Sequence, residues 1–230
     1  MSSIAIITAR GQSKRIPRKN IHPFAGRPLI AYSIEAAIGS GVFDTILVST
    51  DDEEIAEIAK GLGASVPFLR SAGNSDDHAT TNDVLTEVLN TLKAKGEAYE
   101  TACCIYPTAP FLTGQKLREA YGAFLKEEDA DTMISVVRFS YPPQRAYRKS
   151  GSAIEFVHPE YALTRSQDLE PLYHDAGQFY LFRTDSFLER RSLFGGRILP
   201  FELPESEVQD IDTPEDLKIA EMKYRILRSL

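Results

Sequence analysis

Basic side chains are concentrated near the N-terminus in a way that suits the binding of a polyanion. Six basic residues precede the first acidic residue, Glu35, although the whole chain has a net charge of −7. Most of them fall in one short segment, as Arg10, Lys14, Arg15, Arg18 and Lys19. A single basic segment in an acidic protein indicates a small polyanion such as a nucleoside triphosphate, not a nucleic-acid surface. A solvated surface loop is the alternative, but Gly11 allows close backbone approach to a ligand and so favours binding.

A second group is acidic and lies near the other end of the chain. Asp210 and Asp212 are separated only by Ile211, and in an extended backbone side chains two residues apart point the same way. Two converging carboxylates repel each other unless a cation joins them, and their hard oxygen atoms suit Mg²⁺. An aspartate pair of this spacing more often forms a turn when it stands alone. Beside a basic phosphate-binding loop it predicts a magnesium site.

The elements that would position these groups have the pattern of an α/β protein. Residues 4–9 form a short apolar run typical of a buried parallel strand. Amphipathic helical patterns alternate with further predicted strands at residues 44–50, 65–68, 101–106 and 133–139, which predicts a Rossmann-like, doubly wound, mostly parallel sheet. The loop after the first strand would open at the carboxyl edge of that sheet, where such proteins bind ligands. With 230 residues, of which 43% are hydrophobic, we expect one domain over residues 1–230.

Residues 9–20 form neither a P-loop nor a G-x-G-x-x-G turn. They match A-R-x-x-S-K-x-x-P-x-K-N and so resemble the N-terminal signature of the acylneuraminate cytidylyltransferases, the CMP-nonulosonic acid synthetases. The D-I-D-T run at residues 210–213 is similar to the metal motif of that family. The P-T-A-P run at residues 107–110 resembles its Q-P-T-S-P loop, which faces the acceptor sugar. Tyr106 stands where the sialic acid enzymes carry Gln.

Two more runs look like the pseudaminic acid branch of the family. They are P-P-Q-R-A-Y at residues 142–147 and D-A-G-Q-F-Y at residues 175–180, where sialic acid synthetases read N-G-A-I-Y. With them the resemblance covers nearly the whole chain. It implies a fold of the nucleotide-diphospho-sugar transferase type and transfer of CMP from CTP to the 2-hydroxyl of a nonulosonic acid, with release of pyrophosphate. Pseudaminic acid is the acceptor that it favours.

Two kinds of alternative stay open at this point. The acceptor is alternatively N-acetylneuraminic, legionaminic or a keto-deoxy sugar acid. Outside enzymes, the alternative is a nucleotide-binding regulatory protein that kept the fold and lost the chemistry. Such a protein has no need of a paired metal site, so the presence of both Asp210 and Asp212 argues against it.

The resemblance also assigns roles to individual side chains. It implies catalysis by Arg10, Lys14, Asp210 and Asp212, the two aspartates holding Mg²⁺. For the nucleotide it implies Ala9, Arg10, Gly11, Ser13, Lys14, Lys19, Asn20, Arg70, Asp77, Thr80 and Thr81. For the sugar pocket it implies Tyr106, Thr108, Arg165, Asp175, Gln178 and Phe179. Arg15 and Arg18 have no counterpart and are expected to be solvated, and Asp51 and Asp52 are expected to cap the following helix.

Residues 140–174 interrupt the alternation of strands and helices and are rich in Pro, Arg and Tyr. A long segment with little periodicity is usually a lid, an interface or disordered, and its aromatic and arginine content favours an interface. By resemblance it is a dimerisation arm that reaches the partner's active site, which predicts a homodimer. No apolar run is long enough to cross a bilayer, and neither a signal peptide nor a nucleic-acid surface is indicated. Cys103 and Cys104 are adjacent core residues, which favours a reducing cytoplasm.

Overall fold

Ser3–Thr8 form strand β1, whose side chains are almost all buried, as its apolar sequence predicts. In the computed structural model, which describes residues 1–76 and 79–229, β1 pairs in parallel with two neighbouring strands. The strands are β1 (Ser3–Thr8), β2 (Pro23–Phe24), β3 (Arg27–Pro28), β4 (Thr45–Ser49), β5 (Thr101–Ile105), β6 (Thr132–Arg138), β7 (Tyr147–Ser150), β8 (Ala153–Phe156), β9 (Tyr173–Arg183) and β10 (Ile198–Leu203). The α-helices are α1 (Leu29–Ser40), α2 (Glu53–Gly61), α3 (Thr81–Ala94), α4 (Gly114–Lys126), α5 (Thr184–Arg190) and α6 (Pro214–Arg228).

The central sheet has the strand order β10-β6-β9-β5-β1-β4. β9 is antiparallel to both of its neighbours, and the other strands all run in one direction. The predicted α/β class with a mostly parallel sheet is therefore confirmed. Because β1, β4 and β5 point the same way, the loops that follow them meet at one edge of the sheet.

Helices cover both faces of this sheet. On one face, α1, α2 and α4 bury side chains such as Ile30, Ile55 and Leu117. On the other face, α3 and α5 bury side chains such as Val88 and Phe187. Successive residues of β1 pack into the two cores in turn, as the alternation of a strand requires. Buried on both faces, β1 reaches solvent only at its ends.

One predicted strand is nearly absent from the structure, and β10 was not predicted from the sequence. The strand predicted at residues 65–68 is reduced to a single bridge between Ser65 and Leu47. Pro67 has no N–H to donate to a longer ladder, so the chain leaves the sheet there. The strands predicted at residues 101–106 and 133–139 are present with ends shifted by one residue, as Thr101–Ile105 and Thr132–Arg138.

Helix α4 is fixed closely against α1. A Cβ on Gly114 would lie 2.4 Å from the carbonyl carbon of Gly39, so only glycine fits at this crossing. One turn later, Arg118 donates hydrogen bonds to the carbonyl oxygens of Gly39 and Ser40, each at 3.0 Å. These contacts hold the start of α4 at the end of α1.

Residues 140–174 are called the arm below, and all but the last two, Tyr173 and His174, which begin β9, lie outside the central sheet. They contain the antiparallel hairpin of β7 and β8 and three short 3₁₀ turns, Pro143–Arg145, Pro159–Tyr161 and Ser166–Asp168. Side chains of the hairpin are almost all exposed, and the ring pair Tyr147–Phe156 is its main internal packing. No helix in the described ranges is both long and apolar enough to cross a membrane.

Candidate active site

A cavity of about 630 Å³ opens at the carboxyl edge of the sheet. Its walls come from the loop after β1, the segment before α3, the loop after β5 and the segment before α6. Of the ionisable side chains that line it, one is acidic, Asp212, and the basic ones are Arg10, Lys14, Arg15, Lys19 and Arg70. A concave site with this excess of positive charge can bind a polyanion.

The loop after β1 is fixed by hydrogen bonds to its backbone. The N–H of Gly11 donates to Oδ1 of Asp51 at 2.8 Å, and Nδ2 of the buried Asn20 donates to the carbonyl oxygen of Arg10 at 2.7 Å. Ala9 is fully buried and its N–H donates to the carbonyl oxygen of Ser49. Ala9 and Gly11 thus shape the loop, Asn20 both fixes the loop and lines the cavity, and Arg10, Ser13 and Lys14 line the cavity.

Gly11 is required by a close contact between this loop and the start of α2. A Cβ on Gly11 would lie 2.8 Å from both Cβ and Oδ2 of Asp52. Asp52 itself caps α2, its Oδ1 accepting from the N–H of Ile55 at 3.0 Å, as predicted. Asp51 has a different role from the predicted cap, because it accepts from Gly11.

Asp212 lies at the edge of the cavity between two cations. Its Oδ2 is 2.9 Å from Nη2 of Arg15, and its Oδ1 is 3.2 Å from Nζ of Lys19. Lys19 also donates to the carbonyl oxygen of Ile211 at 2.7 Å, which ties the two ends of the site together. Arg15 is solvated as expected, with 63% of its side chain exposed, but it also lines the cavity and pairs with Asp212. Arg18 pairs instead with Asp52 and Glu54, outside the cavity lining.

Asp210 and Asp212 influence each other electrostatically. Partial burial raises the pKa of the Asp210 carboxyl, the negative charge of Asp212 raises that pKa further, and Lys19 opposes the shift. Asp212 lines the cavity, whereas Asp210 is not part of its lining. Within the described residues, no group of three or more His, Cys, Asp or Glu could hold a metal ion. A pair of carboxylates does fit the manner in which Mg²⁺ is bound together with substrate phosphates.

The segment before α3 supplies another wall. Arg70 is buried, and it donates from Nη2 to the carbonyl oxygen of Ser49 at 2.6 Å and from Nε to Oγ of Ser49 at 3.1 Å. Burial lowers the pKa of its guanidinium, an effect that the nearby charge of Asp51 opposes. Thr80 caps α3 in a capping box with Asp83, and Thr80 and Thr81 line the cavity. The predicted nucleotide residue Asp77 lies outside the described residues.

Of the residues predicted for the sugar, Tyr106 and Thr108 line this cavity. The ring of Tyr106 packs against that of Tyr180, with centroids 5.5 Å apart, and the hydroxyl of Tyr180 donates to Oδ2 of Asp175. The Tyr106 hydroxyl itself is hydrogen-bonded to Oγ1 of Thr81 at 3.4 Å. Asp175 therefore acts on the cavity through two tyrosines, although it does not line the cavity itself. Burial raises the pKa of Tyr106, so its hydroxyl stays protonated at neutral pH.

The other predicted sugar residues lie elsewhere. Arg165 is exposed in the arm. Phe179 is fully buried in the core and packs its ring against Phe201, so in this conformation it contributes to packing. Gln178 is 3% exposed and donates from Nε2 to the carbonyl oxygen of Glu207 at 2.6 Å. Its buried Oε1 has no hydrogen-bond partner among the described residues.

Comparison with known proteins identifies the family. The cytidylyltransferase family model matches residues 4–219. The chain belongs to the cytidylyltransferase family. It is 42% identical to pseudaminic acid cytidylyltransferase of Campylobacter jejuni subsp. jejuni serotype O:23/36 (strain 81-176), with 98% of this chain and 97% of that protein covered. It is 34% identical to CMP-N,N'-diacetyllegionaminic acid synthase of Legionella pneumophila subsp. pneumophila (strain Philadelphia 1), with 96% and 95% covered.

A solved structure has a fold similar to that of this cytidylyltransferase. The structure of CMP:2-keto-3-deoxy-manno-octonic acid synthetase complexed with CTP superposes with a TM-score of 0.72. The two proteins are 16% identical, and each is covered over its full length. At this level of identity the likeness concerns the fold, which is that of a nucleotidyltransferase.

Two residues that matter to this cytidylyltransferase site were missed by sequence reasoning. Asp51 follows β4, and because β4 lies beside β1 in parallel, its carboxyl end had to lie near the loop after β1. That adjacency is a signal that could have found Asp51. Tyr180 packs its ring against Tyr106 of the site, and its place depends on the pairing of β9 with β5, which the motif alone did not indicate.

Proposed function

We propose that the chain transfers CMP from CTP to the 2-hydroxyl of a nonulosonic acid, with pseudaminic acid as the preferred acceptor and pyrophosphate as the second product. The observation that carries the proposal is the basic cavity at the carboxyl edge of the sheet, in a chain that belongs to the cytidylyltransferase family. The relative that is 42% identical over nearly its full length is a pseudaminic acid cytidylyltransferase. The legionaminic acid enzyme, at 34%, is less similar.

The basic side chains reduce the electrostatic repulsion between the two anionic substrates of this reaction. An anionic sugar acid attacks the α-phosphorus of a polyanionic nucleotide, so repulsion opposes both binding and reaction. We assign Arg10, Lys14 and Lys19 to the triphosphate, with Arg10 and Lys14 nearest the departing pyrophosphate. Cations fixed in a cavity before substrate arrives stabilise the developing charge without reorganisation, and in phosphoryl-type transfers this positioning supplies most of the rate.

Asp210 and Asp212 would hold a divalent cation, which we propose to be Mg²⁺. When bound, the ion would neutralise phosphate oxygens and make the attacking hydroxyl more acidic. The pKa of Asp210 is raised first by partial burial and then by the charge of Asp212, and a bound cation would relieve the repulsion between the two carboxylates. Arg15 and Lys19 lie against Asp212 and hold its carboxylate at the edge of the cavity.

Recognition of the nucleoside is assigned to the segment before α3. The base and ribose are uncharged and are recognised by hydrogen bonds, and α3 begins at the cavity with Thr80 and Thr81, whose hydroxyl groups can donate and accept them. Arg70 adds a buried cation whose orientation is set by Ser49. We propose that this wall binds cytidine, with Asp77 included on the basis of the sequence alone.

The acceptor is assigned to the side of the cavity formed by Tyr106 and Thr108. A site that hydrogen-bonds one pattern of substituents leaves buried polar groups unpaired with another, which discriminates strongly. We expect kcat/KM for pseudaminic acid to exceed that for N-acetylneuraminic acid by roughly 10²-fold or more. Tyr106→Phe removes a hydroxyl that is hydrogen-bonded to Thr81 in the cavity wall and should reduce this ratio.

The control is Tyr121→Phe, which removes a buried hydroxyl bonded to Thr101 in the core, away from the cavity. Steady-state kinetics with both sugars on the three proteins measures the effect. Equal or better use of N-acetylneuraminic acid by the unmodified protein would make the proposed acceptor wrong, while leaving transfer of CMP as the reaction.

We also propose that the chain forms a homodimer through the arm. The arm exposes large apolar side chains, among them Leu163 at 99% and Ile154 at 64%. A two-stranded hairpin with no core beneath it is marginally stable alone, so a partner surface would explain how β7 and β8 persist. In a dimer, Arg165 of the arm would be available to the partner's cavity, which accounts for its distance from its own.

Replacement of both Ile154 and Leu163 by Lys should separate the dimer, because burial of two unpaired cations in an interface is strongly unfavourable. Light scattering should give a dimer for the unmodified protein and a monomer for Ile154→Lys with Leu163→Lys. Ile226→Lys on α6, where the apolar side chain is 59% exposed, should remain a dimer. A monomeric, fully active unmodified protein at micromolar concentration would contradict the interface.

The two cysteines support the proposal that the enzyme acts in the cytoplasm. Cys103 and Cys104 are both fully buried and unpaired. Burial raises the pKa of Cys104 to about 12 and that of Cys103 well above its usual value, so neither thiol is reactive. They serve as small core residues, which suits a reducing compartment.

A further inference from the structure

The segment that joins β10 to α6, residues 204–213, carries both proposed metal ligands and is strongly acidic. These ten residues include four acidic ones, Glu205, Glu207, Asp210 and Asp212, and no basic one. Like charges at this density repel one another, so cations from other elements stabilise the conformation of this segment. The structure provides them from three places in the chain.

The contacts of these cations are short and well defined. Nζ of Lys116, on α4, lies 2.6 Å from Oε2 of Glu207, and Nζ of Lys223, on α6, donates to the carbonyl oxygen of Val208 at 2.9 Å. Lys19 binds the other end of the segment, at Ile211 and Asp212. Of these cations, Lys19 belongs to the substrate cavity itself, whereas Lys116 and Lys223 are not part of the cavity lining.

The Lys116–Glu207 pair connects the segment to α4, and Glu207 also contacts the central sheet. Its side chains are only 16% and 26% exposed, so water screens this pair less than a pair on the open surface. Nζ of Lys116 also donates to the carbonyl oxygen of Phe111 at 2.8 Å. The carbonyl oxygen of Glu207 accepts from Gln178 of β9. Glu207 is thereby held by both α4 and the central sheet, three residues before Asp210.

We infer that Lys116 is a positioning residue for the divalent-cation site, acting through Glu207 to fix the segment that presents Asp210 and Asp212. This inference rests on the proposed function, in which those two aspartates bind the metal. Groups that hold metal ligands in place without touching the metal govern its affinity. Lys116 would therefore set how much divalent cation the enzyme needs, and would leave its recognition of CTP unchanged.

The test compares Lys116→Met with Arg118→Met. Both residues are cations of α4 that anchor a neighbouring segment, but Arg118 binds the end of α1. We expect Lys116→Met to raise the MgCl₂ concentration for half-maximal pyrophosphate release about 10-fold, with KM for CTP unchanged. In the metal-free protein, hydrogen exchange in residues 204–213 should become faster. Arg118→Met should change neither quantity, and Lys116→Arg should restore both.

Glu207→Gln removes the other charge of the same ion pair and should have the same effects as Lys116→Met on the MgCl₂ requirement and on hydrogen exchange. It keeps the inference testable if the Lys116→Met protein does not fold. An unchanged MgCl₂ requirement in both variants would overturn the inference, and so would an equal rise in Arg118→Met. A raised requirement without faster exchange would also overturn it, since the effect would then not arise from positioning. If the unmodified protein releases pyrophosphate without a divalent cation, both the proposed metal site and this inference are wrong. That measurement needs no variant, so it distinguishes failure of the metal site from failure of the role of Lys116.

Discussion

Asp212→Asn and Asp210→Asn are each expected to lower kcat by about 10²-fold or more, the usual result of losing preorganised charge stabilisation. Each change keeps the size of the side chain and removes one negative charge from the pair. Asp212 lines the cavity and pairs with Arg15 and Lys19, and its charge raises the pKa of Asp210. Without that charge the pair no longer offers two anionic ligands to a cation.

Glu215→Gln is the matched control for this prediction. It removes a negative charge from the first turn of α6, three residues after Asp212, on an exposed side chain outside the cavity lining. We expect its kcat to be close to that of the unmodified protein. Far-UV circular dichroism should be the same for all these variants. Full activity in EDTA, or in the double variant with both aspartates changed, would contradict the assignment of Asp210 and Asp212 as metal ligands.

Arg10→Ala and Lys14→Ala are each expected to weaken transition-state stabilisation by roughly 2–4 kcal/mol, as the loss of charge-assisted contacts in a desolvated site does. Both side chains line the cavity in a loop whose backbone is fixed by Asp51 and Asn20. Because the loop is held by its backbone, truncation of either side chain should leave the loop in place. The loss should therefore appear in kcat/KM and leave thermal stability nearly unchanged.

Arg18→Ala separates a phosphate site from a charged surface loop. Arg18 belongs to the same basic segment, but it pairs with Asp52 and Glu54 and is not part of the cavity lining. We expect its kcat/KM to fall much less than that of the other two variants. Small and equal losses at all three positions would favour the solvated-loop interpretation of this segment.

Local patterns were enough to predict the centre of the fold and of the site. The apolar run that became β1, the basic loop after it and the edge of the sheet at which it opens all depend on short-range features. Prolines also acted locally, because Pro67 cut the predicted third strand to a single bridge. In contrast, the pairing of Arg15 with Asp212 joins residues far apart in the chain, and no local sequence pattern predicts it.

Side-chain directions along β9 were the hardest part to predict. The register of β9 against β6 shifts between Ile134 and Val136, and Gly177 has a φ of 62°, in the left-handed region. Each irregularity changes which face the following side chains occupy. As a result Phe179 enters the core, Gln178 reaches Glu207, and Asp175 acts on the cavity only through tyrosines.

Pyrophosphate release, measured over a panel of nucleotides and sugar acids, tests the central claim most directly. With CTP, MgCl₂ and pseudaminic acid together, we expect rapid release of pyrophosphate and a CMP-sugar product. Omission of the sugar acid, or replacement of CTP by UTP, ATP or GTP, should abolish most of it. Failure of every sugar acid to release pyrophosphate from CTP, in a protein that still binds CTP, would contradict the proposal and favour a nucleotide-binding regulatory protein.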